Sequence, residues 1–206
     1  MFGRLTLVLQ LSRDHVVLDA GCGRGDWLKS ISPEVRSAIG IDYEESMLAA
    51  AKKRTSGLSN VRIQKASLEE MLPFPDGHFN RIASTMVYGY LSSKEKVLKE
   101  FYRVLAPGGM IAIITPKKGV KFIKVLFEEM KYKSDQGTII RDLKKLPLAA
   151  ALIVSMKVAE LKGVSGQWHY VDRDEFAAEL ESAGFEVLSI KPEYAGQAWL
   201  AVARKK

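Results

Sequence analysis

The segment VVLDAGCGRGDWL, residues 16–28, concentrates more chemistry than any other part of the chain. Glycines at 21, 23 and 25 leave the backbone bare between a strand-like run and a helix-like one, where a ligand can come close. The helix that follows offers free N–H groups at the same place. Asp19 stands two residues before the first of these glycines, so its carboxylate is aimed into the same crevice. Asp42 ends the next strand-like run, VRSAIGID, where a carboxylate can accept both hydroxyls of a ribose. The spacing is G-x-G-x-G and not the G-x-G-x-x-G that seats a dinucleotide pyrophosphate. An acid beside the glycines repels a pyrophosphate and suits a ligand that carries an ammonium. Strand-to-helix packing, with Asp19 as a cap of the turn, explains the same residues without a ligand.

Other reactive side chains are few. Cys22 is the single cysteine, which excludes an internal disulfide and a zinc site built on several thiolates, and fits a reducing compartment. No metal site is expected. Of the three histidines, His15 opens the first strand and His78 lies in the turn PDGHF, both read as structural. His169, in GQWHYVD, remains the candidate general base.

The elements that must position these groups alternate as an α/β domain with a parallel sheet does. Strands are expected at 15–20, 35–42, 60–65, 79–86 and 110–115, with helices starting at 26 and spanning 44–55 and 93–105, the last with Ser93 as cap. APGG, residues 106–109, reads as a turn. A helix at 174–183 precedes two final strands, 185–191 and 197–204. Between them, residues 117–163 have no strand signal and read as two or three helices. With 206 residues, 47% hydrophobic and 27% charged, this is one ordinary globular domain carrying an insertion. No segment reaches the roughly 18–20 apolar residues that a membrane-spanning helix needs, and the start lacks a cleavage signal, so a cytoplasmic location is expected.

The net charge of +7 is unevenly spread. Residues 117–163 hold eleven Lys/Arg against five Asp/Glu, and the remainder is nearly neutral. That distribution argues against nucleic acid as a partner and directs any anionic partner to the insertion.

The ordered series VVLDAGCGRG, GIDYEESML, VRIQKASLEEMLPFPDGHFNRI, LKEFYRVLAPGGMIAIITP and GFEVL resembles the class I S-adenosylmethionine-dependent methyltransferases. The likeness is strongest to the small-molecule branch that includes the ubiquinone/menaquinone methyltransferases. It covers about residues 1–116 and 170–206. It implies a Rossmann-like, doubly wound seven-stranded sheet with the last strand antiparallel. It also implies S-adenosylmethionine as cofactor, S-adenosylhomocysteine as product, and methyl transfer to a small-molecule acceptor by in-line displacement. A nicotinamide-dependent oxidoreductase and a catalytically silent S-adenosylmethionine-binding protein are the alternatives.

Carried onto matching positions, the resemblance gives Gly21, Cys22 and Gly23 to the cofactor's methionine and sugar, Asp19 to its amino group and Asp42 to its ribose. Tyr43 and Met47 fall against the adenine faces, though Met47 also fits a core position and Tyr43 a surface one. Ser67 and Leu68 fall at the adenine edge, where Ser67 stands in place of the family's usual Asp. Asn80 likewise replaces an Asp, at a position read as structural. Thr85 and Met86 should face the sulfonium. STMVYGYL lacks the Asn/Asp-Pro-Pro-aromatic motif of exocyclic or amide nitrogen methylation, and Cys22, in the glycine turn, is no nucleophile for cytosine-C5 chemistry.

Tyr88, Tyr90, Trp168 and Tyr170 are the acceptor-pocket candidates, with core packing the competing reading for each. The insertion, a helical lid at about 117–168, contains VKFIKVLFEEMKY and the 11-residue apolar run Leu146–Met156 flanked by lysines. It is either a helix packed on the sheet with a solvated basic face, or a lid that receives an apolar or amphipathic acceptor or rests on a membrane surface.

Overall fold

The computed structural model describes residues 2–118, 170–194 and 196–206. The insertion from 119 to 168, with Trp168 and His169, therefore lies outside the described residues. Seven strands form one sheet: β1 (Val16–Ala20), β2 (Ser37–Asp42), β3 (Val61–Lys65), β4 (Phe79–Thr85), β5 (Leu105–Pro116), β6 (Phe185–Glu193) and β7 (Ala198–Lys205). Their order is β3-β2-β1-β4-β5-β7-β6. β7 runs antiparallel to both neighbours and the other pairings are parallel, as the resemblance implied.

Alternation along β1 explains why its residues VVLDA are all buried. Val16, Leu18 and Ala20 enter one core layer and Val17 the other. On one face α1 (Phe2–Val8) and α2 (Asp26–Ile31) supply Leu5, Trp27, Leu28 and Ile31, and α3 (Glu45–Thr55) packs beside α2. On the other face α4 (Lys94–Val104) and α5 (Arg173–Ser182) supply Val97, Leu98, Phe101, Phe176 and Leu180.

Helix α1 was not among the expected elements. It is held by an Arg4–Glu193 ion pair of 2.7 Å and by Arg81 Nε donating to Leu9 O at 2.6 Å. APGG is not a turn before β5 but an irregularity inside it. Leu105 pairs with Phe79 and Met110 with Arg81, so residues 106–109 bulge past one residue of β4. That one residue is Asn80, whose Oδ1 accepts the Val16 N–H at 2.8 Å, a structural role as expected. Ser93 occupies the cap position of α4 without a capping side-chain bond. Asp172 instead caps α5, in a reciprocal box with Glu175.

β1 and β4 are neighbours whose successors lie on opposite sides, to β2 and to β5. A crevice opens outside the carboxyl ends of strands at such a point.

Candidate active site

The glycine turn sits in that crevice. Gly21 N–H and Cys22 N–H both donate to Ile41 O at 2.9 Å, and Gly25 N–H closes the turn on Cys22 O at 2.9 Å. Gly21 has φ +83°, and a Cβ there would stand 2.3 Å from Val87 Cγ2, so the β4–α4 connection packs directly against it. Gly23 has φ +51° and nothing within 4 Å of the Cβ it lacks, which leaves room for a ligand against bare backbone. Gly40, inside β2, has a different duty: a Cβ there would meet Leu28 Cδ1 at 2.4 Å and Cys22 Sγ at 2.9 Å. Its place in a strand was the available sign of close approach, and the sequence reading passed over it.

The two acids meet here. Asp42 Oδ2 accepts Gly23 N–H at 2.9 Å and Oδ1 accepts Glu44 N–H at 3.1 Å, tying β2 to the turn. Asp19, paired between Gly40 and Ala83, is 4% exposed, and no hydrogen bond from a described residue reaches its carboxylate. Burial, and secondarily the Asp42 charge, push its pKa up to about 7. A buried carboxyl without a donor is the feature that an incoming ammonium would satisfy. Cys22 is buried, and that burial, with both carboxylates nearby, pushes its thiol up and makes it inert.

Around this centre the other candidates fall into two groups. Tyr43 is 72% exposed and Met47 38% exposed, so Met47 is not a core residue. Thr85 ends β4, and Met86 follows with φ +59°, its N–H donating to Ile114 O at 2.8 Å. Ser67 Oγ accepts Glu69 N–H at 3.2 Å, and the Leu68 side chain is in the core. Tyr90 is half exposed. Its hydroxyl is pushed up by partial burial and then by Tyr170 and Tyr43, which places the three phenols in one neighbourhood.

Tyr88 requires a correction. It is fully buried, its hydroxyl donates to Glu179 Oε2 at 2.7 Å, and its ring lies 5.1 Å from Phe176 and under Lys94 Nζ. Core packing wins because the ring fits between α4 and α5 and the phenol finds a partner there. Glu179 had no distinguishing signal in the sequence. His15 Nδ1 accepts Ser12 N–H, and His78 stacks on Phe74, consistent with structural roles.

Among the described residues, no group of three or more His, Cys, Asp or Glu is arranged to hold a metal ion, and no helix is long and apolar enough to cross a membrane.

A family profile described as "Methyltransferase domain" matches residues 17–109, the span from β1 into β5 that carries the turn and both acids. A demethylmenaquinone methyltransferase from Staphylococcus carnosus is 27% identical over 98% of this chain and 81% of its own length. These matches support a class I S-adenosylmethionine-dependent methyltransferase. A Staphylococcus aureus demethylmenaquinone methyltransferase is 37% identical, over 47% of this chain and 41% of its own length. Among solved structures, a methyltransferase from Aquifex aeolicus superposes with a TM-score of 0.68, covering 100% of this chain and 89% of that one at 21% identity. One from Mesorhizobium loti gives 0.67 at 18% identity, covering 98% and 96%. These structural likenesses establish the fold. The methyltransferase is an enzyme that uses S-adenosylmethionine and releases S-adenosylhomocysteine. Neither the oxidoreductase nor the silent-binder alternative gains support from these comparisons.

Proposed function

We propose that the methyltransferase acts on a small apolar or amphipathic acceptor of the demethylmenaquinone type. The observation that carries this reading is the likeness to the Staphylococcus carnosus enzyme, which runs along 98% of the chain and so includes the insertion as well as the cofactor half. S-Adenosylmethionine, when bound, supplies an electrophilic methyl on a sulfonium, and the chain's task is alignment and exclusion of water.

In this reading Asp42 takes the ribose hydroxyls and Asp19 the amino group. Gly21, Cys22 and Gly23 line the methionine and sugar with backbone. Tyr43 and Met47, both exposed, supply apolar surface for the adenine, and Ser67 and Leu68 flank its edge. Thr85 and Met86 face the sulfonium from the end of β4. Tyr90 and Tyr170 border the acceptor, with Trp168 beside them and His169 as the base that removes a proton if the acceptor arrives protonated.

The same proposal takes residues 1–206 as a single domain, with a helical lid at about 117–168. It has the cytoplasmic enzyme meet a membrane-borne acceptor through the basic 117–163 segment.

Incubation with methyl-labelled S-adenosylmethionine and a demethylmenaquinone-containing lipid extract tests it. Label is expected in the quinone fraction, with the loss of label at high salt that a basic contact predicts. Cofactor binding without labelled quinone would overturn the acceptor assignment.

A further inference from the structure

The strands β1, β2 and β3 begin at the edge opposite the glycine turn, and that edge holds an open cleft of about 490 Å³. Val16 and Ile39 form its apolar floor, and Arg36, Ser37, Arg62 and His78 stand around it. Register sets Val16 beside Ser37 and Ile39 beside Arg62, so these four share one face of the sheet. The cleft exists because the chain from Ala66 to His78 makes turns instead of a covering helix. That segment packs on the sheet through Leu68 and Leu72, both buried, and beside the cleft Phe74 stacks on His78 at 5.9 Å and packs edge-on against Phe79 at 4.9 Å.

Its charge is uncompensated. No Asp or Glu lines the cleft, and neither Arg36 nor Arg62 pairs with a carboxylate among the described residues. Several other arginines are matched, Arg4 with Glu193, Arg54 with Asp26, Arg103 with Glu100 and Asp76, Arg204 with Glu186. Arg13, by contrast, has no carboxylate partner among the described residues, and Arg81 donates to backbone carbonyls. The chain's own basic 117–163 segment has the wrong sign to fill such a site. Guanidinium is the side-chain group best shaped for a phosphate, since its planar fork matches two oxygens and is weakly hydrated. The volume lies within the roughly 300–1,000 Å³ typical of small-ligand sites.

We propose that this cleft binds a small organic phosphomonoester, its dianion held by Arg36 and Arg62 and its apolar body laid over Val16 and Ile39. The site is separate from the cofactor crevice, because the length of β1, about 13 Å, lies between Val16 and Ala20.

Phenyl phosphate is a suitable probe, titrated into enzyme already saturated with S-adenosylhomocysteine and followed by backbone amide shifts. The expected result is saturable shifts at Ser37, Arg62 and His78, weakened by salt, with inorganic phosphate binding the same residues less tightly. The double variant R36Q/R62Q should bind phenyl phosphate at least about tenfold more weakly, and its unchanged affinity for S-adenosylhomocysteine would verify that it is folded. Phenol binding as well as phenyl phosphate, wild-type affinity in the double variant, shifts confined to the glycine turn, or no shifts at all would each overturn the proposal.

Discussion

The two ends of the parallel strands carry opposite charge and treat it differently. At the carboxyl ends, Asp19 and Asp42 are drawn inward, one without a donor among the described residues and one accepting from two backbone N–H groups. At the amino ends, Arg36 and Arg62 stand out in solvent with no carboxylate partner among the described residues. A buried unmatched carboxyl is costly before a ligand arrives, whereas exposed guanidiniums cost almost nothing. The first arrangement stores free energy that a cationic ligand releases. The second only waits for an anion.

The largest effect that would break this contrast is on Asp19. Its pKa rises from 3.8 to about 7 on folding, through burial first and Asp42 second. Between these values the unfolded chain has released the proton that the native chain retains, so stability falls as pH rises through that window. The loss is on the order of 4 kcal/mol, from about three pH units at 1.36 kcal/mol each. Asp19→Asn should flatten this dependence in urea denaturation of the ligand-free enzyme, while weakening cofactor binding. Because an ammonium prefers the ionised carboxylate, affinity for S-adenosylhomocysteine should fall as pH drops below about 7 and level off above it. A pH-independent dissociation constant would mean that Asp19 does not meet the ligand's amino group.

Asp42→Ala comes next. It removes a charged acceptor from the proposed ribose contact and frees the Gly23 N–H from its anchor. Cofactor affinity should drop by about 2–4 kcal/mol, read by titration calorimetry, with the sheet intact. Wild-type affinity would leave Asp42 as a turn anchor only.

These effects track how much the sequence disclosed. The glycine turn and its acids were legible because three glycines at alternate positions between a strand and a helix mark a turn that favours positive φ, and an acid at a strand end has few structural uses. Asp172 and Glu175 had the spacing of a capping box and went unread, a local signal overlooked. α1 was not legible, since a seven-residue helix depends on tertiary contacts such as Arg81 to Leu9 O. Nor was the amino-end cleft. It follows from the failure of residues 66–78 to form a helix, and from register between β2 and β3, neither of which is a property of one segment.

Tyr88 illustrates the same limit at the site itself. YGY after β4 offers two tyrosines, and only packing separates them: Tyr88 is swallowed between α4 and α5, Tyr90 stays half exposed. Tyr88→Phe removes a hydrogen bond to Glu179, which keeps Lys94 as a partner at 3.4 Å. It should cost about 1–2 kcal/mol of stability and leave kcat/KM nearly unchanged. A fall in turnover without a fall in stability would return Tyr88 to the acceptor pocket.

The smallest expected effect tests the other end. Arg36→Gln and Arg62→Gln remove charges that no described side chain satisfies, so each should alter stability by no more than about 0.5 kcal/mol. The sign should favour the variants at low ionic strength, because guanidiniums around one cleft repel each other, and that advantage should shrink as salt screens them. Chemical denaturation of both variants at two salt concentrations measures this directly. A clear destabilisation would mean that Arg36 or Arg62 is already matched in the folded protein. The contrast between an expensive acidic end and an inexpensive basic one would then fail, because the cleft would be a structural joint and not a surface awaiting an anion.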